Sequence, residues 1–407
     1  MQFEKREDGR IACPFDHHTP AYAKDFFSVL DEVRSKSPLV WSDLHGGFWV
    51  ATGFDLVRKL TMNSRAMSVG HGPDRQGGIA IPPRPGTKTR PLFVPGEADG
   101  EQHDDYRRAL NPHFTQARVA ELQPMIERHV DAAIDAMLAA GSVDLIEDFS
   151  ARVLTGIACE HLGLEADDTL GFFRALALMV SYSGEANSAF DEVASSFKDA
   201  WPLVVQTVTD RRANPRDDVI SALAQWDSPR FTDEEIHSMT LNVCLGAADT
   251  TSSLLGQTFM YLAAHPELVE RLRADPTLIR PAVEEFLRMF GVTMGVGRTL
   301  TQDLEVEGVT LKKGERILLS FVAANHDPAK YPNPYEFDLV RGAGRHLSMG
   351  VGVHACLGAH LARAIAATGL ETFLRRVETF SVDSEAAATN EDKNILNQWV
   401  HVPATVA

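Results

Sequence analysis

One short segment, residues 346–358, constrains the fold and chemistry of this chain more than any other. It reads HLSMGVGVHACLG, so three glycines surround a single cysteine, Cys356, and a helical pattern begins directly afterwards. Glycine accepts positive φ angles and lets a backbone approach a flat ligand closely. The helix that follows points its unpaired N–H groups and the positive end of its dipole toward the sulfur. The segment therefore predicts a Gly-rich loop that presents one cysteine at a helix N-terminus.

The predicted surroundings of Cys356 indicate a thiolate. A helix N-terminus lowers the pKa of a thiol, and an iron porphyrin can take a cysteine thiolate as an axial ligand that favours O–O cleavage. Two other interpretations of this residue stay open. A lone cysteine is commonly a small buried apolar residue. A hydrolase nucleophile is also conceivable, although no nucleophile motif of known spacing accompanies it.

Composition places the chain among ordinary globular proteins and excludes several functional classes. The 407 residues include 56 acids and 39 Lys and Arg, which give a formal net charge of −17. This acidity argues against nucleic acid as the main partner, because nucleic-acid binding depends on Lys and Arg. The four cysteines have no paired spacing, the N-terminus lacks an apolar signal region, and no run of about 18 apolar residues occurs. We therefore expect a soluble, cytoplasmic protein without membrane insertion.

Helical patterns dominate the chain, with a small β-rich part. His103–Arg212 reads as helix after helix, and Thr232–Ala264 reads as one long helix that opens with a capping box. Asn63–Gly100 is rich in Gly and Pro, and a loop of this length is usually a functional lid or else disordered. The other predicted elements are helices over Tyr22–Ser35, Thr277–Phe290 and Gly358–Arg376 and strands over Leu39–Ser42, Phe48–Thr52, Gly297–Thr301, Leu304–Glu307, Arg316–Phe321, Phe380–Asp383 and Gln398–Val402.

The cysteine segment resembles the haem-binding loop of the cytochrome P-450 monooxygenases, F-x-x-G-x-x-x-C-x-G. The residues that fit the pattern or its common bacterial form are Gly350, Gly352, His354, Cys356 and Gly358. The leading Phe of the family is replaced here by Met349, a polarizable apolar residue that can alter the packing beneath the sulfur.

A second motif stands upstream in the order typical of that family. Glu285-Phe-Leu-Arg288 matches E-x-x-R, an i, i+3 pair on one helix face, which is structural in the family. The usual third partner is an Arg in a downstream P-x-R-F segment. Glu336 stands in that place here, so Arg341 is the candidate for the third role.

The middle of the long helix resembles the family's oxygen-binding motif, [AG]-G-x-[DE]-T. The matching run is Gly246, Ala247, Ala248, Asp249 and Thr250. Small residues let a helix pass close to a flat cofactor. A carboxylate and a hydroxyl are unexpected in the apolar middle of a helix, so this pair calls for a structural or functional explanation. By resemblance, Thr250 would hold water and Asp249 would feed protons through a relay. The pair favours a reaction with O2 and external electrons over one driven by peroxide.

The resemblance also supplies four partners for the haem propionates, which need cationic or hydrogen-bonding groups. They are His103 and Arg107, in the H-x-x-x-R of an early helix, Arg298 in the strand after E-x-x-R, and His354. The same resemblance implies that Ala247, Met349, Gly350 and Gly358 contact the cofactor.

The resemblance implies a mainly α fold, the cytochrome P-450 fold, with small β-sheets. It also implies that residues 1–407 form a single large helical domain without a fused reductase. It implies a monooxygenase that uses haem b and O2 and takes electrons from NAD(P)H through a ferredoxin reductase and a ferredoxin. We expect a monomer that docks the ferredoxin on a local basic patch. The candidates for that patch are Arg107, Arg108, Arg118, Arg345 and Arg363.

The expected substrate is a small to medium hydrophobic molecule, either terpenoid, aromatic or steroid-like, and the reaction either hydroxylation or oxidative O-demethylation. By family topology, the pocket residues are Phe93, Asn242, Leu245, Gly246, Met294, Val296 and Leu396, with Pro91 nearby. Asn242 could bind a substrate oxygen or bond within its own helix. The alternatives are a haem-binding sensor or carrier without monooxygenase activity and a haem-free helical protein with Cys356 as a nucleophile.

Overall fold

Helices make up most of the regular structure over the residues that the computed structural model describes, which are 1–71, 77–82, 93–165, 171, 201–341, 346–390 and 395–407. None of these helices is long and apolar enough to cross a membrane. They are α1 Pro20–Lys24, α2 Phe26–Lys36, α3 Phe54–Thr61, α4 Gly100–Leu110, α5 Gln116–Glu121, α6 Gln123–Ala140, α7 Arg152–Leu162, α8 over 201–213, α9 Val219–Gln225, α10 Asp233–Ala248, α11 Thr250–Ala264, α12 Pro266–Ala274, α13 Ile279–Phe290, α14 Phe321–Asn325 and α15 Ala359–Arg376. Short 3-10 helices cover Leu44–Gly46, Asn111–Phe114 and Pro276–Leu278, and a π-helix covers Leu145–Ala151.

The largest sheet has seven strands in the order β1-β2-β3-β4-β10-β7-β5. A three-stranded sheet has the order β11-β14-β6, and β8-β9 and β12-β13 are separate two-stranded pairs. The strands are β1 Glu4–Lys5, β2 Ile11–Ala12, β3 Leu39–Ser42, β4 Phe48–Ala51, β5 Met67–Ser68, β6 Ser142–Asp144, β7 Val296–Leu300, β8 Leu304–Val306, β9 Val309–Leu311, β10 Arg316–Leu319, β11 Phe380–Val382, β12 Ala388–Thr389, β13 Trp399–His401 and β14 Pro403–Val406.

Both faces of the large sheet are covered, which explains why its central strands are apolar throughout. In β4, Phe48 and Val50 pack into one core cluster, whereas Trp49 and Ala51 pack into another. Successive side chains of a strand point to opposite faces, so these two clusters lie on the two sides of the sheet. The largest core cluster belongs to the helical part of the chain.

The long helix predicted over Thr232–Ala264 is wrong in one respect, because α10 ends at Ala248 and α11 begins at Thr250. Asp249 separates them with φ −98° and ψ −42°. The Oγ1 of Thr250 donates to the carbonyl oxygen of Gly246, 2.9 Å away. A hydroxyl that bonds to the carbonyl four residues earlier competes with the helical hydrogen bonds and bends helices. The capping box of Thr232 and Glu235 is confirmed.

The other predicted elements are confirmed to within a few residues where the structure describes them, with two kinds of difference; residues 166–170 and 172–200 of the predicted helical stretch His103–Arg212 lie outside the described residues. The helix predicted over Tyr22–Ser35 is divided at Asp25, whose carboxylate accepts from the N–H of Ser28 and so begins a new helix. The helices α3, α9, α12 and α14 and several short strands, β1 and β5 among them, were not predicted, because too few residues carry a recognisable period.

A buried ion-pair cluster fixes the C-terminal half of α13. Arg288 is 2% exposed and donates to both carboxylate oxygens of Glu285, at 2.9 and 2.7 Å. The Nε of Arg341 donates to the same carboxylate at 3.1 Å. Arg341 is therefore the third partner, as the sequence suggested. Glu336, at the position of the family's usual Arg, contributes its backbone carbonyl to Arg288 and Arg341 instead.

Candidate functional site

Cys356 ends a tight loop that leads into α15. Its N–H donates to the carbonyl oxygen of Met349 at 2.8 Å. Gly350 and Gly352 have φ angles of 63° and 78°, in the left-handed region that favours glycine. A Cβ on Gly352 would also lie 3.3 Å from the Cα of Met62. The predicted Gly-rich loop before a helix is present, and position 352 excludes a side chain on both conformational and steric grounds.

The Cys356 residue is exposed, and it lines a cavity that also borders α10 and α11. Protein atoms otherwise surround the sulfur, and this burial raises the pKa of the thiol. The N–H of Gly358 and the charges of Arg107 and Arg363 act in the opposite direction without outweighing burial. The expectation of a lowered thiol pKa is thus wrong for the protein alone, because desolvation exceeds the effect of the helix N-terminus. A coordinated metal ion deprotonates a thiol outright.

Asp249 and Thr250 line the same cavity as Cys356. The side chain of Asp249 is buried, and its Oδ1 accepts a hydrogen bond from the Nε2 of Gln398 at 3.3 Å. One turn earlier, a Cβ on Gly246 would meet no atom within 4 Å. The backbone of α10 is therefore open to the cavity beside the acid–alcohol pair, as a helix that passes close to a flat cofactor requires.

The four residues expected to hold haem propionates converge beside the cysteine loop. The ring centres of His103 and His354 are 4.3 Å apart. Arg107 donates to the carbonyl of the residue before the cysteine, at 3.1 Å. The Nε2 of His354 lies 3.4 Å from Asp99, and the charge of Asp99 also acts on Arg298. The structure thus places His103, Arg107 and His354 at the cysteine loop, and Asp99 links His354 to Arg298.

Arg298 is the least satisfied member of this group. It is 4% exposed, and within the described parts of the chain its guanidinium donates one hydrogen bond, to the carbonyl of Gly297 at 2.8 Å. A guanidinium has five N–H donors. Burial lowers the pKa of Arg298 to about 10, with Asp99 opposing the shift. An anionic group placed here would supply the missing acceptors.

Asp99, which immediately precedes α4, organises the cluster and was missed by sequence reasoning. Burial disfavours its charged form, but hydrogen bonds from His354, the hydroxyl of Ser68 and the N–H groups of Val69 and Gly70 hold the pKa of the carboxyl well below its usual range. The Ser68 contact measures 2.6 Å. No sequence signal links Asp99 to these partners, since a residue before a helix is ordinarily read as a cap. Its carboxylate turns away from the helix and fixes His354 instead.

A cavity of about 420 Å³ lies against α10, α11 and the cysteine loop. Six of the predicted pocket residues line it, namely Phe93, Asn242, Leu245, Gly246, Val296 and Leu396. Met294 does not, because its side chain points the other way into the core cluster against the large sheet, whereas Val292 and Thr293 face the cavity. Pro91 and Arg345 lie outside the described residues.

The residues present fit a haem. The cysteine sulfur faces the cavity, and the expected cofactor contacts Ala247, Met349 and Gly358 line it. A Cβ on Gly358 would meet no atom within 4 Å, which leaves room for a flat group beside the sulfur. The under-bonded Arg298, with Arg107 and the rings of His103 and His354, would receive the propionates at one edge. We therefore expect Cys356 to face the iron and the cationic group to fix the orientation of the ring.

A second carboxylate of α13, Glu284, contacts the start of the cysteine loop. Its side chain is 13% exposed, accepts from the Nε2 of His346 at 3.1 Å and pairs with Arg363 in α15. Burial raises the pKa of Glu284, but these two partners outweigh it and lower the pKa to about 2. The start of the loop and the helix after it are thus tied to one residue of α13.

Replacing Glu284 with Gln is expected to lower the free energy of unfolding by about 1–3 kcal/mol at neutral pH, because both partners lose a charged acceptor. The ionised form stabilises the fold above the unfolded carboxyl pKa of ~4.3, and that stabilisation is lost as the pH falls toward about 2. Urea unfolding at several pH values should therefore show the wild-type advantage shrinking below pH ~4.3. Glu270→Gln, on the surface of α12, is the control, and a pH-independent difference would contradict the assignment.

Three comparisons with known proteins agree with this geometry. Residues 170–400 match the protein-family model described as Cytochrome P450. The chain is 30% identical to pentalenic acid synthase of Streptomyces avermitilis, over 90% of this chain and 88% of that one. It is 31% identical to a steroid C26-monooxygenase of Mycobacterium tuberculosis, over 74% of this chain and 80% of that one. Among solved structures, CYP105P1 in complex with filipin I superposes with a TM-score of 0.82 at 28% identity, over 93% of this chain and 95% of that chain.

Proposed function

The chain belongs to the cytochrome P450 family and is a haem-dependent monooxygenase, and we propose that it hydroxylates a rigid, largely apolar substrate of steroid-like size that carries one hydroxyl or carbonyl group. The enzyme uses haem b and O2, with electrons derived from NAD(P)H through redox partners. The reaction converts substrate, O2, two electrons and two protons into the hydroxylated product and water. The observation that carries the substrate proposal is the carboxamide of Asn242, which lies in a mainly apolar wall and makes no hydrogen bond within the described residues.

When bound, haem supplies the iron at which O2 is reduced. In our proposal Cys356 would provide a thiolate ligand to this iron, and the loop around Gly352 holds that sulfur in place. His103, Arg107 and Arg298 hold the propionates together with His354. Charge-assisted hydrogen bonds from the two arginines are short and strong, so they would also hold the ring in one orientation.

We assign proton delivery to Asp249 and Thr250. The carboxylate of Asp249 lines the cavity and can pass protons between the protein interior and the reacting oxygen. The hydroxyl of Thr250 is anchored on the carbonyl of Gly246 and so keeps its oxygen available as an acceptor from water in the cavity. The open backbone at Gly246 gives that water and O2 room beside the pair.

The rest of the wall is mainly apolar. Phe93, Leu245, Val296 and Leu396 line the cavity, together with Ile79 and Ala80 from the described part of the preceding loop. Such a wall binds a substrate by burial, at roughly 25 cal/mol per Å² of apolar surface removed from water. Burial alone does not orient a molecule, so a convergent polar group is needed to select which carbon is oxidised.

Asn242 supplies that polar group. It lines the cavity, and its side chain makes no hydrogen bond within the described residues, so the intrahelical alternative is not used. Its Oδ1 lies 3.0 Å from the position a Cβ on Gly96 would take, which means that the loop backbone packs directly on the amide. Glu97 and His71 also line this corner, with their side chains 3.9 Å apart.

The position of Asn242 sets a distance between anchor and reaction. It precedes Thr250 by two helical turns on a similar face, a separation of about 12 Å at a rise of ~1.5 Å per residue. A substrate anchored at the amide and oxidised beside Thr250 must therefore span about that length. A steroid-like ring system does so, whereas a small monoterpenoid or an aromatic methyl ether does not. The steroid C26-monooxygenase among the relatives supports this choice.

Asn242→Leu tests the anchor with little change in volume. For a steroid with a hydroxyl about 12 Å from the oxidised carbon, we expect the Kd to rise about fivefold to tenfold, the loss of one hydrogen bond of ~1–1.5 kcal/mol. For the matching steroid without that hydroxyl, the Kd should not rise. The measurement is the spin-state shift of the Soret band on titration of each compound.

Two outcomes would contradict the substrate proposal. Equal losses for the two steroids would mean that Asn242 shapes the cavity without binding the hydroxyl. Tighter binding of monoterpenes or aromatic methyl ethers than of any steroid would exclude a steroid-sized substrate. Analysis of the product separates hydroxylation from oxidative O-demethylation, which releases formaldehyde.

For electron supply we propose a separate ferredoxin and ferredoxin reductase. We also propose that the protein acts as a monomer in the reducing cytoplasm, where its free cysteines would stay reduced.

The proposed ferredoxin-docking patch carries less uncompensated positive charge than its number of arginines suggests. Arg107 turns inward to the cysteine loop. The other described candidates are each paired with a carboxylate: Arg108 with Asp105, Arg118 with Glu121 and Arg363 with Glu284. A steep fall in electron-transfer rate with added salt would support this surface, and salt-independent rates would exclude it.

A further inference from the structure

The acid assigned to proton delivery has a partner far along the chain. Asp249 is 2% exposed and stands between α10 and α11, where it belongs to neither helix. The Nε2 of Gln398, 149 residues later, donates to its Oδ1 at 3.3 Å. Gln398 is itself buried, with 7% exposure. A buried amide that donates to a buried carboxylate restricts the orientations of both side chains.

The segment that carries Gln398 is fixed at several points. Directly before β13, the N–H of Gln398 donates to the side chain of Asn390 at 2.9 Å, and the N–H of Asn390 donates back to the Gln398 carbonyl at 3.0 Å. Gln257 of α11 donates to the carbonyl of Asn397 at 3.2 Å and accepts from the indole of Trp399 at 3.2 Å. The amide of Gln398 is therefore held against the α10–α11 junction from both sides.

This arrangement matters because Asp249 lies at a helix break. A side chain inside a regular helix is oriented by the turns around it, whereas one at a break has fewer neighbours to restrict its χ angles. A donor on one carboxylate oxygen determines which oxygen faces the strand pair β12–β13, called here the C-terminal hairpin, and thereby which oxygen faces the cavity.

We propose that Gln398 is a positioning residue for Asp249, so that the C-terminal hairpin sets the efficiency of proton delivery. The proposal rests on the proposed function of Asp249. The role of Gln398 is to hold the carboxylate where a proton can pass to the cavity, and it neither touches substrate nor takes part in the proton transfer. Loss of this contact diverts electrons from product to hydrogen peroxide without weakening substrate binding.

The test compares Gln398→Ala, Gln398→Glu and Asp249→Asn in the haem-loaded enzyme with its redox partners. For Gln398→Ala we expect product formed per NAD(P)H to fall about fivefold, with a matching rise in hydrogen peroxide and an unchanged substrate Kd. Gln398→Glu puts a second carboxylate against Asp249. Like charges disfavour joint ionisation, so its product yield should recover as the pH falls and the new acid takes up a proton.

Gln257→Ala is the matched control, because it removes an amide that ties the same hairpin to α11 without contact to Asp249. It should lower stability and leave product yield and pH profile unchanged. If Asp249→Asn lowers the yield and Gln398→Ala does not, the positioning role is wrong while the role of Asp249 stands. If neither variant changes the yield, the proton-delivery assignment itself fails. If the product yield of Gln398→Glu depends on pH in the same way as that of the wild type, Gln398 is only a structural contact and the proposal is overturned.

Discussion

Replacing Cys356 with Ala is expected to abolish the strongly red-shifted Soret band of the reduced, carbon-monoxide-bound protein, together with all monooxygenase activity. Alanine keeps the backbone of the loop and removes the sulfur that faces the cavity. The electron donation that favours O–O cleavage depends on the thiolate, so no other residue in the loop can replace it. The difference spectrum of haem-supplied protein is the measurement, and the expected effect is complete loss.

The chain contains its own control for this experiment. Cys13 is buried in the core cluster against the large sheet, away from the cavity. Cys13→Ala should keep the red-shifted band at full intensity per haem. A Cys356→Ala protein that retained the band would exclude Cys356 as the ligand. A wild-type protein that folds in haem-supplied cells without any Soret band would contradict the family's chemistry in this chain.

The second large effect is expected at the buried pair in α13. Arg288→Met leaves the Glu285 carboxylate, with 5% exposure, without its main partner. Removing one partner of a buried ion pair costs about 3–5 kcal/mol, because the remaining charge stays desolvated. We expect the free energy of unfolding to fall by that amount and haem retention to fall with it. Denaturant unfolding of the haem-loaded protein measures the first, and the Soret absorbance per protein measures the second.

Arg128→Met provides the comparison, since Arg128 pairs with Glu160 on the surface with 56% and 46% of the two side chains exposed. Exposed pairs contribute about 1 kcal/mol or less. Similar losses for the two variants would mean that burial of the Glu285 cluster is not what makes it stabilising. Because bound haem couples to unfolding, both proteins must be compared at equal haem occupancy.

The sequence was sufficient for the parts of the site that neighbouring residues determine. The Gly-rich loop, the capping box at Thr232 and the E-x-x-R pair each depend on residues within one turn or loop, and the structure contains all three. The third partner of the pair, Arg341, was reachable only because it lies near the expected position of the family's Arg.

What the sequence could not supply are contacts between distant segments and the balance of opposed effects. The Gln398–Asp249 hydrogen bond and the link from Asp99 to His354 join residues whose separation leaves no periodic signal. Met294 was assigned to the cavity because its segment lines it, yet its side chain packs into the core cluster against the large sheet. The thiol pKa of Cys356 was misjudged because desolvation depends on the packed structure.

The two carboxylates of α13 have a consequence for how such a chain can diverge. Glu284 ties His346 of the cysteine loop to Arg363 of α15, Glu285 pairs with Arg288 and Arg341, and neither carboxylate lines the cavity that contains Asn242. Substitutions at Asn242, at Gly96 or along the apolar wall therefore leave the ion pairs of Glu284 and Glu285 unchanged. Selection can thus change which molecule binds in the cavity while the cysteine loop stays unchanged. This fits the names of two relatives near 30% identity, a steroid C26-monooxygenase and pentalenic acid synthase.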